Sequence, residues 1–170
     1  MSRLRRVNYI EGRLLTAADF VAEQEYHREK ARRHNLRLHG SGVVRGLTVS
    51  LQGGATRQAT VTVKPGVGID PAGNELELES GTSVAVPARL GAFVVVIRYA
   101  EWPADPVPVP GTGGDNEDCR PGHVLEGCEI CLLPDDPPGT AAHNALALAR
   151  FVRSKAGWRR DTSFRPRRSR

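Results

Sequence analysis

The sequence predicts an α+β protein, in which one long N-terminal helix accompanies a mostly antiparallel β sandwich or open barrel of about seven to eight strands. Three observations support this fold class. A capped, charge-rich segment over residues 16–38 is typical of a helix. Short alternating or β-branched runs occupy residues 43–152. With 170 residues, of which 39% are hydrophobic and 5% aromatic, the chain fits one domain with a core of modest size.

Thr16 marks the predicted start of the helix. Its hydroxyl can accept a hydrogen bond from a free N–H of the first turn, and Asp19 stands three residues later, in the capping-box position. Basic residues in the C-terminal half suit the helix dipole. Residues 39–42 contain two glycines, which accept the left-handed conformation that ends helices. We therefore expect a helix up to Leu38 and a strand that begins at Val43.

The β body is predicted from short apolar runs between turn residues. Val61 and Val63 alternate with polar neighbours, and a Pro-Ala-Gly-Asn turn leads into the alternating run around Leu76, which predicts a half-buried hairpin. Residues 92–99, AFVVVIRY, are typical of a central buried strand because β-branched residues dominate them. The predicted strands in chain order are 43–49, 60–64, 75–79, 83–86, 92–99, 125–133 and 146–152.

Residues 103–118 are predicted to form a long surface loop. The run PADPVPVP over residues 103–110 contains four prolines, and proline cannot donate to a strand ladder, so this run is not expected to pair as a central strand. A glycine-rich acidic segment follows it.

The last segment, residues 153–170, is predicted to be a basic tail outside a single domain over residues 1–152. It carries eight basic residues and one acidic residue, whereas the whole chain has a formal net charge of +5. A basic tail is typical of a solvated chain end, of a segment that binds an acidic subunit surface, or of a nucleic-acid contact. We expect partner contacts through the arginines of this tail, which are Arg159, Arg160, Arg165, Arg167 and Arg168.

The N-terminal unit resembles a group of proteins encoded among the baseplate and tail genes of phage-tail-like contractile injection systems. The shared pattern is Y/F-x-x-G-x-L-L-T-A-x-D-F, then E-Q-x-Y-H, H-N and H-G-x-G-V-V-x-G-L. The matching residues are Tyr9, Gly12, Leu14 to Ala17, Asp19, Phe20, Glu23, Gln24, Tyr26, His27, His34, Asn35, His39, Gly40, Gly42 to Val44, Gly46 and Leu47. A weaker likeness to V-x-V-x-P-G-x-A-I-D-x-x-G-x-E-I/L covers residues 61–76, with Gly68 in place of the alanine.

This resemblance implies a structural role in a particle more than a catalytic activity. It implies a non-enzymatic structural or adaptor subunit, associated with a baseplate or tail, that acts through contacts with other subunits of a homo- or hetero-oligomeric assembly. The alternatives are a nucleic-acid-binding module that uses the arginine-rich tail, and a small zinc-stabilised domain.

One stripe of the predicted helix mixes apolar and polar residues. The helix stripe, as we name it, consists of Phe20, Gln24, His27, Ala31, His34 and Leu38. Such a mixture is more typical of a contact surface than of a dry core, so the stripe residues Phe20, Gln24, His27 and His34 and the nearby Tyr26 are predicted to bind a partner. His27 and His34 lie about 10 Å apart along the axis, too far for one metal ion. We expect both histidines to be semi-buried, with hydrogen bonds to the sheet or to a partner.

Three cysteines and a histidine form a possible zinc set. Cys119, His123, Cys128 and Cys131 could bind zinc tetrahedrally. Residues 124–133 also alternate as a strand, however, which turns Cys128 and Cys131 to opposite faces. Buried strand cysteines with one loop thiol are the favoured interpretation; zinc and a disulfide stay open as alternatives, and no cofactor is expected.

The sequence does not support an enzyme or a membrane protein. It contains no G-x-S-x-G, no P-loop and no H-E-x-x-H. Turn formation explains Asp70 beside Pro71, and loop solubility explains Asp115, Glu117 and Asp118. No apolar run approaches the roughly 18 residues of a membrane span, and no secretory signal is recognised. We expect a protein that stays in the cytoplasm or is carried within an assembled particle.

Overall fold

The computed structural model describes residues 4–53, 58–88, 90–108, 119–135, 144–155 and 157–170. These residues form one helix and ten strands. In chain order they are α1 (Ala17–Leu38), β1 (Gly42–Gly46), β2 (Val49–Gln52), β3 (Thr60–Val63), β4 (Gly66–Ile69), β5 (Glu75–Leu78), β6 (Thr82–Ala85), β7 (Ala92–Pro108), β8 (Cys119–Pro134), β9 (Ala145–Ser154) and β10 (Gly157–Arg160).

Helix α1 begins and ends where the sequence predicts. Thr16 is the N-cap, its hydroxyl accepts from the Asp19 N–H, and the Asp19 carboxylate accepts from the Thr16 N–H at 3.0 Å. These hydrogen bonds hold the pKa of Asp19 below its ordinary value. Gly40, with φ +70°, adopts the left-handed conformation just after the helix. The predicted capping box and the predicted helix are therefore confirmed.

The strands form three small antiparallel sheets. Their orders are β1-β4-β5, β2-β3-β6 and β10-β9-β7-β8. The α+β class is confirmed, but the predicted single sandwich or open barrel is wrong, and there are more strands than predicted. The reason is local: Gly46 and Leu47 have positive φ values of 63° and 51°, so the predicted strand 43–49 bends and its two halves join different sheets. Pro65 similarly separates β3 from β4.

The predicted hairpin around Leu76 is formed by different strands from those expected. β5 pairs with β4, with Gly68 opposite Leu76, whereas β3 pairs with β2 and β6. One hydrophobic cluster nevertheless joins all three sheets. Its fully buried members include Val61, Val63, Leu76, Phe93, Val95, Ile97 and Ala149. The three sheets thus share one core, and β7 supplies its centre, as its β-branched sequence predicts.

The prediction of a surface loop is wrong for residues 103–108. These residues continue β7, and they pair with β8 from Pro103 opposite Val124 to Pro108 opposite Cys119. β9 pairs with β7 only as far as Arg98, so beyond that point β7 has one partner strand instead of two. Proline is tolerated in such an edge position because the outward N–H groups have no ladder to join. The rest of the predicted loop lies outside the described residues.

The tail also differs from its prediction as a separate segment. β9 continues to Ser154, and β10 pairs with it. Trp158 packs edge-to-face on Phe93 with ring centroids 4.9 Å apart, and the Val43 N–H donates to the Arg167 carbonyl at 2.8 Å. The C-terminal segment therefore lies on its own domain, because Trp158 supplies apolar surface and β1 supplies a free edge.

Candidate interaction surface

Helix α1 contacts the sheets through a polar face. The Arg32 Nε donates to the Asn74 Oδ1 at 2.7 Å, and the Asn35 Nδ2 donates to the Gly73 carbonyl at 3.0 Å. One turn earlier, Arg28 forms an ion pair with Glu101 at the point where β7 leaves the body. No residue of the helix is buried. Hydrogen bonds and ion pairs, rather than apolar packing, therefore set the position of α1.

The turn that receives the helix is organised by a buried carboxylate. Asp70 is fully buried, and its Oδ1 accepts from the N–H groups of Ala72 and Asn74 at 2.8 and 2.9 Å. Its Oδ2 accepts from the Asn74 Nδ2 at 2.7 Å. The turn role predicted for Asp70 is confirmed. Gly73, at φ +94°, allows a close approach, since a Cβ there would lie 2.5 Å from the Arg32 carbonyl oxygen.

Tyr99 and Glu101 connect the helix to the extended part of β7. The Tyr99 hydroxyl donates to the Glu101 Oε1 at 2.8 Å, and Arg28 contacts both groups. Burial, together with the bond to Glu101, raises the pKa of Tyr99. The bond from Tyr99 and the charge of Arg28 lower the pKa of Glu101. The ion pair is partly exposed, so it fixes geometry more than it stabilises the fold.

All six residues of the helix stripe are exposed. Phe20 at one end is 55% exposed, and Leu38 at the other end is similarly exposed. The prediction of semi-buried histidines is wrong: His27 Nε2 lies 3.1 Å from the Glu23 carboxylate of its own helix, and His34 lies beside the His39 ring. Tyr26 is half-buried against His27 and Lys30. The stripe thus lies beside the face that contacts the sheets and stays exposed.

Apolar side chains before the helix are also exposed, and sequence reasoning did not select them. Leu14 is 84% exposed, Tyr9 and Ile10 are more than half exposed, and so is Val21 within α1. Contiguous exposed apolar residues on a folded protein are typical of a binding surface. The signal was present in the sequence, because Tyr9 and Leu14 belong to the recognised motif without belonging to any predicted apolar face.

A two-stranded ribbon, which we call the arm, projects from the body opposite this helix. It consists of residues 101–108 of β7 and 119–126 of β8, most of which are exposed. An isolated two-stranded hairpin is marginally stable in water. The arm carries exposed apolar side chains at Trp102, Val107, Val124 and Leu125. Such a ribbon is typical of an element that is completed by a partner.

The helix stripe and the arm face each other across an open groove of about 670 Å³. Phe20, Gln24 and His27 line its helix side, and Pro121, His123 and Val124 line its arm side. Four residues predicted to bind a partner or metal, from distant parts of the chain, therefore meet at one place. Tyr26 and His34 are not among its lining residues.

The tail arginines lie elsewhere on the domain. Arg165, Arg167 and Arg168 are exposed. Arg160 is tied to the body through its Nη1, which donates to the Val49 carbonyl at 3.0 Å. The predicted partner-binding residues thus form two separate regions instead of one surface.

The structure places the predicted zinc ligands on a single strand. Cys119, His123, Cys128 and Cys131 all belong to β8, and about 3.4 Å per residue puts the first and last roughly 40 Å apart. Within the described ranges, no group of three potential ligands converges on one point. Cys128 donates to the Glu77 carbonyl at 3.2 Å, and burial raises the pKa of the Cys128 and Cys131 thiols. The acidic residues Asp115, Glu117 and Asp118 lie outside the described residues.

The α+β body with its exposed helix is similar in fold to solved structures that include chains of the type VI secretion system baseplate. The chain is similar to the crystal structure of TssK, with a TM-score of 0.59 and 17% identity over 96% of this chain and 42% of that one. It also matches a chain of the TssK–TssF–TssG baseplate subcomplex of the type VI secretion system (TM-score 0.56, 14% identity, 96% and 62% covered). A chain of the type VI baseplate complex gives a TM-score of 0.54 at 14% identity, with 97% and 60% covered.

This chain spans between 42% and 62% of the length of those structures. No protein-family model and no curated protein matches it. In the described part of the chain, no helix has the length and apolar character required to cross a bilayer.

Proposed function

We propose that this chain is a non-enzymatic structural or adaptor subunit of a phage-tail-like contractile injection particle, associated with its baseplate or tail. In this role it binds neighbouring subunits through the helix stripe and the arm, and it works in the cytoplasm or within the assembled particle. One observation carries the proposal: a helix of 22 residues buries none of them, although it belongs to a fold otherwise seen in type VI secretion baseplate structures.

The physical basis of the proposal is preorganisation. Arg28, Arg32 and Asn35 hold α1 in place, so the helix stripe is presented without a large rearrangement. Preorganised surfaces bind more tightly because less conformational entropy is lost on association. The exposed Phe20 and Val124 at the groove supply apolar area of the kind that dominates binding energy. The resemblance of the N-terminal motif to baseplate-associated and tail-associated proteins supports the same conclusion.

A single substitution at the groove tests the proposal. Phe20→Ser removes an exposed aromatic side chain, so the melting temperature of the isolated chain should change by no more than about two degrees, as for other surface sites. Incorporation into contractile particles should fall by about tenfold or more, which is typical of losing a central aromatic anchor. The measurement is the amount of tagged chain that co-sediments with sheath-and-tube particles purified from the producing cells.

Leu36→Ser is the matched control. Leu36 is also an exposed apolar residue of α1, but it lies on the opposite side of the helix from Phe20. This variant should incorporate like the unmodified chain. The proposal is wrong if the tagged chain never co-sediments with the particles, or if both variants incorporate normally.

A further inference from the structure

A second groove, which adjoins the first at Glu126, is lined by carboxylates. The acidic groove, as we name it, lies between β5 and β8 and contains Glu75, Glu77, Glu79 and Glu126. The β5 positions are exposed because leucines occupy the alternate, buried positions of that strand. Within the described residues, Glu75 and Glu79 have no ion pair, and Glu77 has only a long contact with the exposed Arg45 at 3.8 Å. This groove therefore holds negative charge that the domain neutralises only in part, through Arg45 near Glu77 and Arg28 near Glu126.

An indole forms one wall of the acidic groove. Trp102 is 43% exposed, and its ring lies against Gly127, where a Cβ would come within 2.9 Å of the Trp102 Cζ3. Carboxylates beside an exposed aromatic face are the surroundings that a guanidinium prefers, because it can bind a carboxylate through two N–H groups and stack on the ring. The chemistry of the groove thus selects arginine over lysine.

An arginine-rich segment is displayed on the same domain. Arg167, Arg168 and Arg170 have exposed side chains, while their backbone is hydrogen-bonded to the domain at Val43 and His39. These bonds run from Val43 N–H to the Arg167 carbonyl at 2.8 Å and from the Arg170 N–H to the His39 carbonyl at 2.8 Å. The segment is therefore already ordered, and its binding to a partner would cost little backbone entropy.

The arginine-rich segment and the acidic groove lie at opposite edges of one sheet. The sheet order is β1-β4-β5, the segment bridges to the outer edge of β1, and the glutamates belong to β5. Three interstrand spacings of about 4.8 Å separate the two, and among the described residues Glu77 pairs with Arg45 of β1 and not with the segment. The two surfaces are therefore free to meet between different copies.

We propose that the acidic groove of one copy binds the arginine-rich segment 165–170 of a second copy, in a head-to-tail contact. The two surfaces differ, so the contact is heterologous and leaves one free groove and one free segment at the ends of any open complex. Charge complementarity between exposed groups fixes the pairing. This contact between copies does not depend on the particle proposed above, and it is measured on the purified chain alone.

Sedimentation velocity over a concentration series tests the contact. The unmodified chain should self-associate at about 50 mM salt and dissociate at about 500 mM, because exposed charge pairs are screened. Glu75→Arg/Glu79→Arg and Arg167→Glu/Arg168→Glu should each weaken association by about tenfold or more. Trp102→Leu should weaken it about two- to fivefold through loss of stacking. Arg5→Glu/Arg6→Glu, a matched charge reversal elsewhere, should have no such effect.

Mixing two neutralised variants gives the sharper result. Glu75→Gln/Glu79→Gln keeps its segment and Arg167→Gln/Arg168→Gln keeps its groove, so one interface can still form between them and no new pair of opposite charges is created. We expect 1:1 dimers that grow no further, from two proteins that each associate weakly. If a reversal disturbs folding, as judged by thermal melting, Glu75→Gln/Glu79→Gln replaces it and should still weaken association.

Three outcomes would overturn the proposal. The first is an unmodified chain that is monomeric at about 0.5 mM in low salt. The second is a mixture of variants that stays monomeric. The third is an unmodified chain that does not self-associate but shifts duplex DNA in a way that depends on Arg167 and Arg168, which would make the segment a nucleic-acid contact instead.

Discussion

Gly42 lets two segments at opposite ends of the sequence pair with each other. A Cβ at this position would lie 2.3 Å from the Arg168 carbonyl carbon and 2.4 Å from the Ser169 nitrogen. The sequence presents Gly42 as part of a helix stop, yet the structure shows that the missing side chain also makes room for the C-terminal segment. The absence of a side chain at Gly42 thus leaves a docking edge open on β1.

Gly42→Ala should release the C-terminal segment from β1. The new methyl group meets backbone atoms, which cannot move aside as a flexible side chain can, so the hydrogen bond between Val43 and Arg167 should be lost. The Val43 amide should then exchange its hydrogen faster, and trypsin should cleave at Arg167 and Arg168 sooner. Gly91→Ala is the control, since nothing lies within 4 Å of its Cβ. Equal protection in both variants would contradict the docking role of Gly42.

The three cysteines should behave as free thiols of unequal reactivity. Cys119 is exposed, whereas burial raises the pKa of Cys128 and Cys131 and so lowers their thiolate fraction at pH 8. Alkylation followed by mass spectrometry should modify Cys119 first and the other two more slowly. We further expect elemental analysis to find no stoichiometric zinc. About one equivalent of zinc, with partial unfolding in EDTA, would show instead that β8 rearranges around a metal.

At the scale of elements, the turn between β4 and β5 determines where α1 sits. Asp70 holds this turn with three hydrogen bonds, and the same turn accepts hydrogen bonds from Arg32 and Asn35 of α1. The position of this surface helix therefore depends on one buried carboxylate as well as on Arg32 and Asn35 of the helix itself.

Asp70→Ala should destabilise the domain by about 3 kcal/mol, because the partly buried N–H groups of Ala72 and Asn74 would lose their acceptor. Urea denaturation measures this loss, and tryptic cleavage at Arg32 should become faster as α1 detaches. Asp70→Asn is the matched control, since its carbonyl oxygen can still accept from both N–H groups, and it should lose clearly less stability. Similar stabilities for all three proteins would mean that the turn is held by other contacts.

The sequence predicts elements with strong local signals and fails where a neighbour decides the outcome. The capping box at Thr16 and the β-branched run of β7 are local, and both predictions are confirmed. Proline is disfavoured in central strands, but residues 103–108 lie at an edge of the sheet because β9 pairs with β7 only as far as Arg98. Where β9 stops pairing depends on the tertiary structure, and the sequence of the proline run does not show it.

The same reasoning applies to the two surfaces. The helix stripe is predicted by the helical period, and it is exposed as a contact surface requires. The groove beside it also depends on the position of the arm, which the sequence does not show. The acidic groove joins Glu75 of β5 to Glu126 of β8, about fifty residues away, so sequence spacing does not reveal it. For the tail, the missed signal was Trp158, because one aromatic residue within a basic segment is enough to anchor it on Phe93.

At the scale of the whole molecule, a charged cluster ties the strand ends of the largest sheet together. Arg150 of β9 contacts the Asp135 carboxylate just beyond β8 and the Asp161 carboxylate just beyond β10, both at 2.5 Å. The Arg150 bond lowers the pKa of Asp135. Hydrogen bonds from Ser163, together with Arg150, lower the pKa of Asp161 still further. The edge strand β10, which leads into the arginine-rich segment, is thus fastened by groups that titrate in acid.

Acid should therefore loosen β10 before it unfolds the core. Both carboxyl groups have folded pKa values below their ordinary value of 3.8, so their stabilisation is complete above that pH and is lost as the pH falls through the lower folded values. We expect the melting temperature to fall between about pH 4 and pH 2, with the fluorescence of Trp158 changing first because it reports on β10. Asp161→Asn should melt a few degrees lower at pH 7 and depend less on pH below 4, since it lacks the group that titrates. Ser163→Ala keeps the contact between Asp161 and Arg150, so its melting temperature should lie between those of the unmodified chain and Asp161→Asn. If Asp161→Asn kept the full acid dependence of the unmodified chain, the charge cluster would not be what fastens β10, and its pairing with β9 and the packing of Trp158 on Phe93 would be what holds it.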